Sequence, residues 1–243
     1  MTLNQGYFIP RALLNVFPLG AINIHPSLLP KYRGASPIQH ALLNGDAETG
    51  VCVIEIHPDK FDAGDILAKR VVPLDRNATY TPLSQQLADL GGNMVIEVLA
   101  DVEGFRRRAE RQEGPVSKAP KISSKERLIT NWSAAENIFN KYRAFEQVTC
   151  HLKAEKPGVV TLFDVGAPTT LANNPEAQNG DALLTRDKSK LLIKCGNANE
   201  GLWLPVGKLR LEGKNIVSPI EFQNGYLLRK AKTVHGVIKD AFI

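Results

Sequence analysis

The chain has 243 residues, of which 43% are hydrophobic and 23% are charged. These are globular proportions, which exclude a disordered or fibrous chain, and the length suffices for two ordinary domains. No stretch approaches the roughly 18–20 uninterrupted apolar residues that a membrane-spanning helix needs. The cysteines Cys52, Cys150 and Cys195 lie far apart without a CxxC pair. This excludes a zinc framework or a disulfide scaffold and predicts reduced, buried thiols.

Charge is distributed unevenly along the chain, whose formal net charge is +5. Residues 1–117 contain 11 Lys and Arg against 13 Asp and Glu, whereas residues 118–243 contain 19 against 12, which gives net charges of −2 and +7. A basic half beside a nearly neutral half suggests that one part acts on a small molecule while the other meets a polyanion. Ordinary surface lysine explains the excess equally well.

Alternating strands and helices are predicted for the first half. The predicted elements are strands over residues 21–25, 51–56 and 66–72 and helices over residues 38–44 and 82–105. Ser36 and Pro37 suit the start of the first helix and Gly45 its end, whereas Gly91 and Gly92 weaken the continuity of the second. Strands separated by helical segments favour the α/β class.

A linker and a small barrel are predicted for the second half. Residues 106–121 have the composition of a linker, because they are charged, poor in apolar residues and interrupted by Gly-Pro and Ala-Pro. A capping box from Ser133 to Glu136 predicts a helix that reaches about Ala144. Short strands are predicted over residues 148–152, 159–163, 182–185, 191–194 and 202–211. Several short strands after one helix favour a small closed or half-closed β-barrel.

Unusual polar residues cluster at the end of the first predicted strand. Asn23 and His25 occupy alternate positions, so their side chains share one face, and Pro26 ends the strand. Ligands bind beyond the carboxyl ends of strands in open α/β sheets. An amide can donate to an oxyanion, a neutral imidazole can accept a proton, and Asp62, on a turn between two strands, could orient that imidazole. A structural histidine is the alternative interpretation of these residue types.

Several motifs together resemble the formyltransferases that use 10-formyltetrahydrofolate. They are Asn23 to Gly34 (NIHPSLLPKYRG), Ser36-Pro37-Ile38, residues 45–51 (GDAETGV) and Asp62-Ala63-Gly64. The resemblance implies an incomplete formyltransferase-type Rossmann-like α/β sheet over residues 1–105, followed by a linker over residues 106–121. The 37 positions from His25 to Asp62 are one more than in the bacterial pattern, which suggests an organellar, mitochondrial type.

The second half resembles the C-terminal domain of methionyl-tRNA formyltransferases. The matching features are residues 121–126 (KISSKE), the Asn131-Trp132-Ser133 segment, residues 142–145 (YRAF) and the Gly180-Asp181 turn. The resemblance implies an OB-like β-barrel over residues 122–243 that binds tRNA, which agrees with the separately counted positive charge. The predicted reaction is formyl transfer from 10-formyltetrahydrofolate to the amino group of initiator methionyl-tRNA in organellar translation initiation.

The resemblance also assigns site residues. The catalytic residues would be Asn23, His25 and Asp62. The folate-binding residues would be Gly6, Tyr7, Phe8, Ile9, Ser27, Leu28, Leu29 and Pro30. The tRNA-binding residues would be Lys31, Arg33, Lys208, Arg210, Lys214, Arg229, Lys230 and Lys232. No metal and no membrane are expected, and the chain is expected to be a monomer.

The start of the chain departs from the family pattern. Family members carry about 85 residues more before the position of Asn23, which form the first βαβ part of the sheet. Two alternatives to the predicted reaction therefore stay open. The chain could be a truncated, non-catalytic form that retains only the RNA-binding domain, or a related formyl-folate enzyme that acts on another amine.

Overall fold

The computed structural model describes residues 9–153, 158–171, 177–197, 201–227, 233–234 and 237–243. The chain divides into two compact units, Met1–Ser123 and Ser124–Ile243. Among the described residues, none of the helices combines the length and the apolar character that crossing a bilayer requires. The folate-site candidates Gly6, Tyr7 and Phe8 lie outside the described residues, as do the tRNA-site candidates Arg229, Lys230 and Lys232.

The first unit contains a three-stranded sheet covered by a long helix. Its elements are α1 (Arg11–Leu14), β1 (Ile22–His25), α2 (Pro37–Asn44), β2 (Glu48–Glu55), β3 (Ile66–Pro73), α3 (Tyr80–Ala100) and α4 (Val102–Arg107). The strands lie in the order β1-β2-β3 and are antiparallel. Because β2 runs antiparallel to β1, its carboxyl end lies at the opposite end of the strand pair from His25. The two strands therefore do not form a crevice of the kind found at the carboxyl ends of parallel strands.

The long helix α3 is continuous through Gly91 and Gly92, contrary to the doubt that these glycines raised. A Cβ on Gly91 would lie 2.6 Å from Cγ2 of Ile24, whereas nothing lies within 4 Å of a Cβ on Gly92. Gly91 therefore allows the helix to approach β1 closely. The break in the predicted 82–105 helix lies instead at Asp101, whose side chain accepts a hydrogen bond from the backbone N–H of Gly104 and starts α4.

The segment with the composition of a linker is packed onto the first unit. Residues 110–119 are hydrogen-bonded to it at several points, and we refer to them as the strap. Glu110 exchanges two main-chain hydrogen bonds with Ile66, at 2.8 and 3.0 Å. Further along, Arg33 donates to the carbonyl of Ser117 at 2.9 Å and accepts from the N–H of Ala119 at 2.7 Å. The strap thus joins β3 to the loop that follows β1.

The second unit is a barrel with one longer helix. Its elements are a 3₁₀ turn (Ser124–Arg127), α5 (Ala135–Phe145), β4 (Val148–Leu152), β5 (Gly158–Val165), β6 (Thr169–Thr170), β7 (Ala182–Leu184), β8 (Leu191–Lys194), β9 (Leu202–Leu211), α6 (Pro219–Phe222), a π turn (Gln223–Leu227), β10 (Thr233–Val234) and β11 (Val237–Ile238). The strand order is β10-β11-β7-β8-β9-β5-β4, and β6 pairs with β9. All five predicted strands are present.

The C-terminal residues close this sheet. Ile238 of β11 pairs with Ala182 of β7 at one edge. At the other edge, Ile243 exchanges two main-chain hydrogen bonds with His151 of β4, at 3.2 and 3.0 Å. The prediction of a small β-barrel is confirmed. Cys150 and Cys195 lie in its apolar core, and Cys52 lies in the core of the first unit; all three are free thiols.

The predicted capping box at the start of α5 is wrong. Helix α5 begins at Ala135, and Ala134 before it makes no side-chain capping bond. Both the N–H and the hydroxyl of Ser133 instead donate to the side-chain oxygen of Asn131, at 2.8 and 2.6 Å. A local side-chain turn therefore outcompetes the helix cap at this position.

Candidate active site

The first strand delivers two of the three predicted catalytic side chains to one face. In β1, Asn23 pairs with Ile54 of β2 and His25 with Cys52. The imidazole of His25 lies at the point where the strand ends and is almost completely buried. Alternation along the strand thus brings an amide and an imidazole side by side.

Asp62 reaches both of these side chains from the turn between β2 and β3. Its Oδ1 lies 3.5 Å from Nδ2 of Asn23 and 3.6 Å from Nδ1 of His25. Its Oδ2 accepts a hydrogen bond of 2.9 Å from the N–H of Gly34. The turn needs Gly64, because a Cβ there would lie 1.8 Å from the carbonyl oxygen of Glu55. The three predicted catalytic residues therefore form one cluster.

The orientation of His25 is fixed by its second ring nitrogen. Nε2 lies 2.9 Å from the main-chain oxygen of Tyr32. Because a carbonyl oxygen only accepts hydrogen bonds, Nε2 carries the hydrogen, and in the neutral ring Nδ1 holds the lone pair on the side of Asp62. Burial lowers the pKa of His25; Asp62 opposes this effect and Arg33 adds to it. The neutral imidazole is thus favoured.

Tyr32 anchors the loop that supplies this carbonyl. Its backbone is left-handed, with φ of 63°, and its N–H donates to Oγ of Ser117 at 2.8 Å. Its hydroxyl donates to Asp46 and accepts from Asn44, both at 2.8 Å. Burial raises the pKa of Tyr32 to about 12, so the phenol stays a donor. Tyr32 lies within the NIHPSLLPKYRG motif, but its role cannot be predicted from the sequence, since a main-chain contact leaves no signal in residue type.

The candidate folate residues divide into buried and half-buried ones. Ser27 is fully buried, and its hydroxyl donates to the carbonyl of Lys31 at 2.7 Å. Leu29 packs in a small core cluster with Cys52 and other apolar side chains. Leu28, Pro30 and Ile9 are half-buried. Ser27 and Leu29 therefore hold the loop in shape, while the half-buried Leu28, Pro30 and Ile9 are the candidates that remain accessible to a ligand.

The candidate tRNA residues fall into two groups, one in each unit. In the first unit, Lys31 is exposed, whereas Arg33 is half-buried and donates from Nε and Nη2 to Oε1 of Gln112, at 3.0 and 2.6 Å. In the second unit, Lys208 and Arg210 are exposed at alternate positions of β9, and an exposed Lys214 follows. The strand thus presents two cations on one face.

The site contains groups suited to acyl transfer between an amine and a carbonyl. A side-chain amide can donate to a developing oxyanion, and a buried neutral imidazole can accept a proton from an attacking nitrogen. A carboxylate beside that imidazole stabilises its protonated form. Within the part of the chain that the structure describes, no three His, Cys, Asp or Glu side chains are grouped so as to hold a metal ion.

Comparison with protein families gives matches over both units. Residues 4–99 match the model of a family described as "Formyl transferase". Residues 121–227 match one described as "Formyl transferase, C-terminal domain".

The sequence similarity to individual relatives covers nearly the whole chain. A methionyl-tRNA formyltransferase of Dictyoglomus turgidum is 33% identical over 226 residues, which cover 93% of this chain and 70% of that protein. The human mitochondrial methionyl-tRNA formyltransferase is 31% identical, with 91% of this chain and 58% of that protein covered. Among solved structures, HypX from Aquifex aeolicus in complex with tetrahydrofolic acid has a similar fold, with a TM-score of 0.55 and 20% identity over 86% of this chain and 35% of that one.

Proposed function

The chain belongs to the methionyl-tRNA formyltransferase family, and from this premise we propose that it transfers the formyl group of 10-formyltetrahydrofolate to the α-amino group of methionine on initiator methionyl-tRNA. The observation that carries the proposal is the cluster of Asn23, His25 and Asp62, in which one carboxylate lies 3.5 Å from an amide and 3.6 Å from an imidazole. Its chemistry suits attack of an amine on a formamide carbonyl.

In the proposed reaction, the amino nitrogen attacks the formyl carbon and a C–N bond forms. The carbonyl oxygen takes up the electron pair and becomes an oxyanion. The side-chain amide of Asn23, whose Nδ2 lies 3.5 Å from Asp62, donates to this oxyanion. Collapse of the intermediate breaks the bond to N10 of the folate and releases tetrahydrofolate.

His25 moves the proton in this scheme. Nδ1 accepts a proton from the attacking amine and returns it to N10 of the leaving folate, so that protons balance over the cycle. Nε2 stays bonded to the oxygen of Tyr32 throughout. The carboxylate of Asp62 stabilises the imidazolium that exists between these two steps. Loss of a general base typically lowers the rate by about 10²–10⁴-fold.

The binding surfaces are proposed from the same assignment. The proposed folate-binding surface is formed or shaped by Ile9, Ser27, Leu28, Leu29 and Pro30. The complex of HypX with tetrahydrofolic acid, a protein with a similar fold, supports a folate as the formyl donor.

The cations proposed to contact tRNA phosphates are Lys31, Arg33, Lys208, Arg210 and Lys214. Exposure of four of them, Arg33 being half-buried, and the positive charge of residues 118–243 support the assignment. The proposed domains are residues 1–105 for catalysis and 122–243 for tRNA, with residues 106–121 between them. The human mitochondrial relative supports a mitochondrial role. We further propose that this role is translation initiation and that the chain acts as a monomer.

The direct test is transfer of a labelled formyl group from 10-formyltetrahydrofolate to methionyl-tRNA, with release of tetrahydrofolate followed in the same reaction. Equal amounts of formylated tRNA and tetrahydrofolate are expected. Release of tetrahydrofolate without formylated tRNA would favour another amine or water as acceptor. Binding of tRNA with neither product would favour the non-catalytic alternative.

A further inference from the structure

The side-chain amide of Gln112 in the strap contacts both the turn that carries Asp62 and the guanidinium of Arg33. Its Nε2 donates to the main-chain oxygens of Asp62 and Gly64, at 2.8 and 2.9 Å. Its Oε1 accepts both bonds from Arg33, at 3.0 and 2.6 Å. Two N–H groups and two lone pairs are all that a glutamine amide offers, so this side chain is fully used.

We propose that Gln112 is a positioning residue for the reaction proposed above: it holds the turn that carries Asp62 and aims the guanidinium of Arg33. The two carbonyls that it binds belong to the turn itself, so Gln112 fixes the backbone from which the carboxylate projects. The same amide prevents Arg33 from turning away. One uncharged group thereby sets the distance between an anion and a cation of the site.

The strap is held firmly enough to act in this way. The main-chain bonds of Glu110 to Ile66 lie two residues before Gln112, and those of Ser117 and Ala119 to Arg33 lie five and seven residues after it. Ser117 also binds the N–H of Tyr32 through its hydroxyl. The backbone on both sides of Gln112 is therefore tied to the elements that carry the site.

Loss of Gln112 should change the pKa of His25 through the charged groups around it. Asp62 raises the pKa of the imidazole and Arg33 lowers it, and Gln112 contacts the residues that carry both. Release of the Asp62 turn should let the carboxylate move away from Nδ1, which removes stabilisation of the imidazolium. Release of Arg33 acts in the opposite direction. The two effects are separated by removing the guanidinium first.

The experiment follows the titration of His25 by NMR in the protein labelled at histidine. The single variant Arg33→Met is compared with the double variant Arg33→Met/Gln112→Met. Methionine at position 112 is about as long as glutamine but does not replace the hydrogen bonds of its amide. The pKa of His25 is expected to be lower in the double variant. A merely structural role would lower the melting temperature and leave this pKa unchanged in the folded protein, which would overturn the proposal. This readout needs no formyl transfer, so it stands apart from the proposed function.

Activity gives the second readout. Gln112→Met alone is expected to lower kcat by about 10- to 100-fold with little change in the KM for folate, as a small misplacement of catalytic groups does. The matched control is Gln85→Met, since Gln85 is exposed on α3 and bonds only to Asp89 among the contacts described; it is expected to leave kcat unchanged. If Gln112→Met does not fold, Gln112→Asn, which withdraws the amide by one carbon–carbon bond, is judged by the same two criteria. An unchanged kcat in either folded variant contradicts the proposal. So does a pKa of His25 that, in the Arg33→Met background, is the same with and without the change at position 112.

Discussion

The imidazole of His25 donates from Nε2 to the main-chain oxygen of Tyr32 at 2.9 Å, which leaves Nδ1 on the side of Asp62. The ring is thus fixed by a backbone group that no substitution of Tyr32 removes. Nε2 therefore orients the ring, and Nδ1 is left for proton transfer. The base of the proposed reaction acts through Nδ1.

The pH profile of kcat follows from the pKa of His25, which burial lowers below 6.5. Since the neutral ring is the base, kcat should stay on its plateau as the pH falls through 6.5 and decline only below that value. Measurement of kcat between about pH 5 and pH 8 tests this. Half-maximal kcat at or above pH 6.5 would show that the buried neutral ring is not the base. In Asp62→Asn, which removes the group that raises this pKa, the acidic decline should move to still lower pH.

The free energy of unfolding should depend on His25 in the same pH range. The pKa is 6.5 in the unfolded chain and lower in the folded one, so the unfolded state binds more protons between these values. The contribution of the neutral buried ring is therefore present above pH 6.5 and is lost as the pH falls toward the folded pKa. Urea unfolding at several pH values should show this loss in the wild type and a flatter dependence in His25→Gln. Parallel curves for the two proteins would refute the linkage.

The adjacent glycines Gly91 and Gly92 of α3 allow a matched pair of variants that tests how closely the helix packs against β1. Gly91→Ala places a methyl group 2.6 Å from Ile24, the residue between Asn23 and His25, whereas Gly92→Ala meets nothing within 4 Å. Gly92→Ala should stabilise the protein by about 0.5–1 kcal/mol through helix propensity. Gly91→Ala should destabilise it by about 1–3 kcal/mol through overpacking and should also lower kcat. Equal effects of the two changes on the unfolding free energy would contradict the close approach of helix and strand.

The exposed cations of β9 should contribute to tRNA affinity through phosphates. Lys208→Gln and Arg210→Gln should each weaken binding and reduce the slope of log K against log salt by about 1. Arg210 also lies over the ring of Phe163, at 5.4 Å from its centroid, which holds the guanidinium on this face. Lys69→Gln, an exposed lysine of β3, serves as the control. A salt slope that is the same in all three variants and the wild type would remove β9 from the tRNA surface.

Local patterns predict most of the helices and strands, whereas the grouping of Asp62 with Asn23 and His25 is expected from the family resemblance. Alternation along β1 places Asn23 and His25 on one face, and the predicted strands 148–152, 191–194 and 202–211 have the observed bounds. Gly45 ends α2 in the left-handed conformation, with φ of 66°, as expected. Strands of two residues, such as β6, carry too little pattern to be predicted.

The long-range contacts that hold the site together cannot be predicted from local sequence patterns. The oxygen of Tyr32 belongs to the main chain, so residue type says nothing of its partner. The charged composition of residues 106–121 is typical of a linker, although hydrogen bonds of Gln112 and Ser117 place the segment on the first unit. Long-range polar contacts between loops have no periodicity. The misassigned cap at Ser133 has a related cause, since the competing partner Asn131 makes an equally local bond.

The most direct test of the central claim is the rate of formyl transfer to methionyl-tRNA with folate and tRNA both saturating. Wild type is compared with Asn23→Ala and with His151→Gln, a control histidine exposed on β4. We predict that Asn23→Ala lowers the saturated rate by about 10²–10³-fold, because the oxyanion loses its donor, with KM unchanged and His151→Gln at the wild-type rate. A wild-type saturated rate in Asn23→Ala, with the loss confined to KM, would contradict the account.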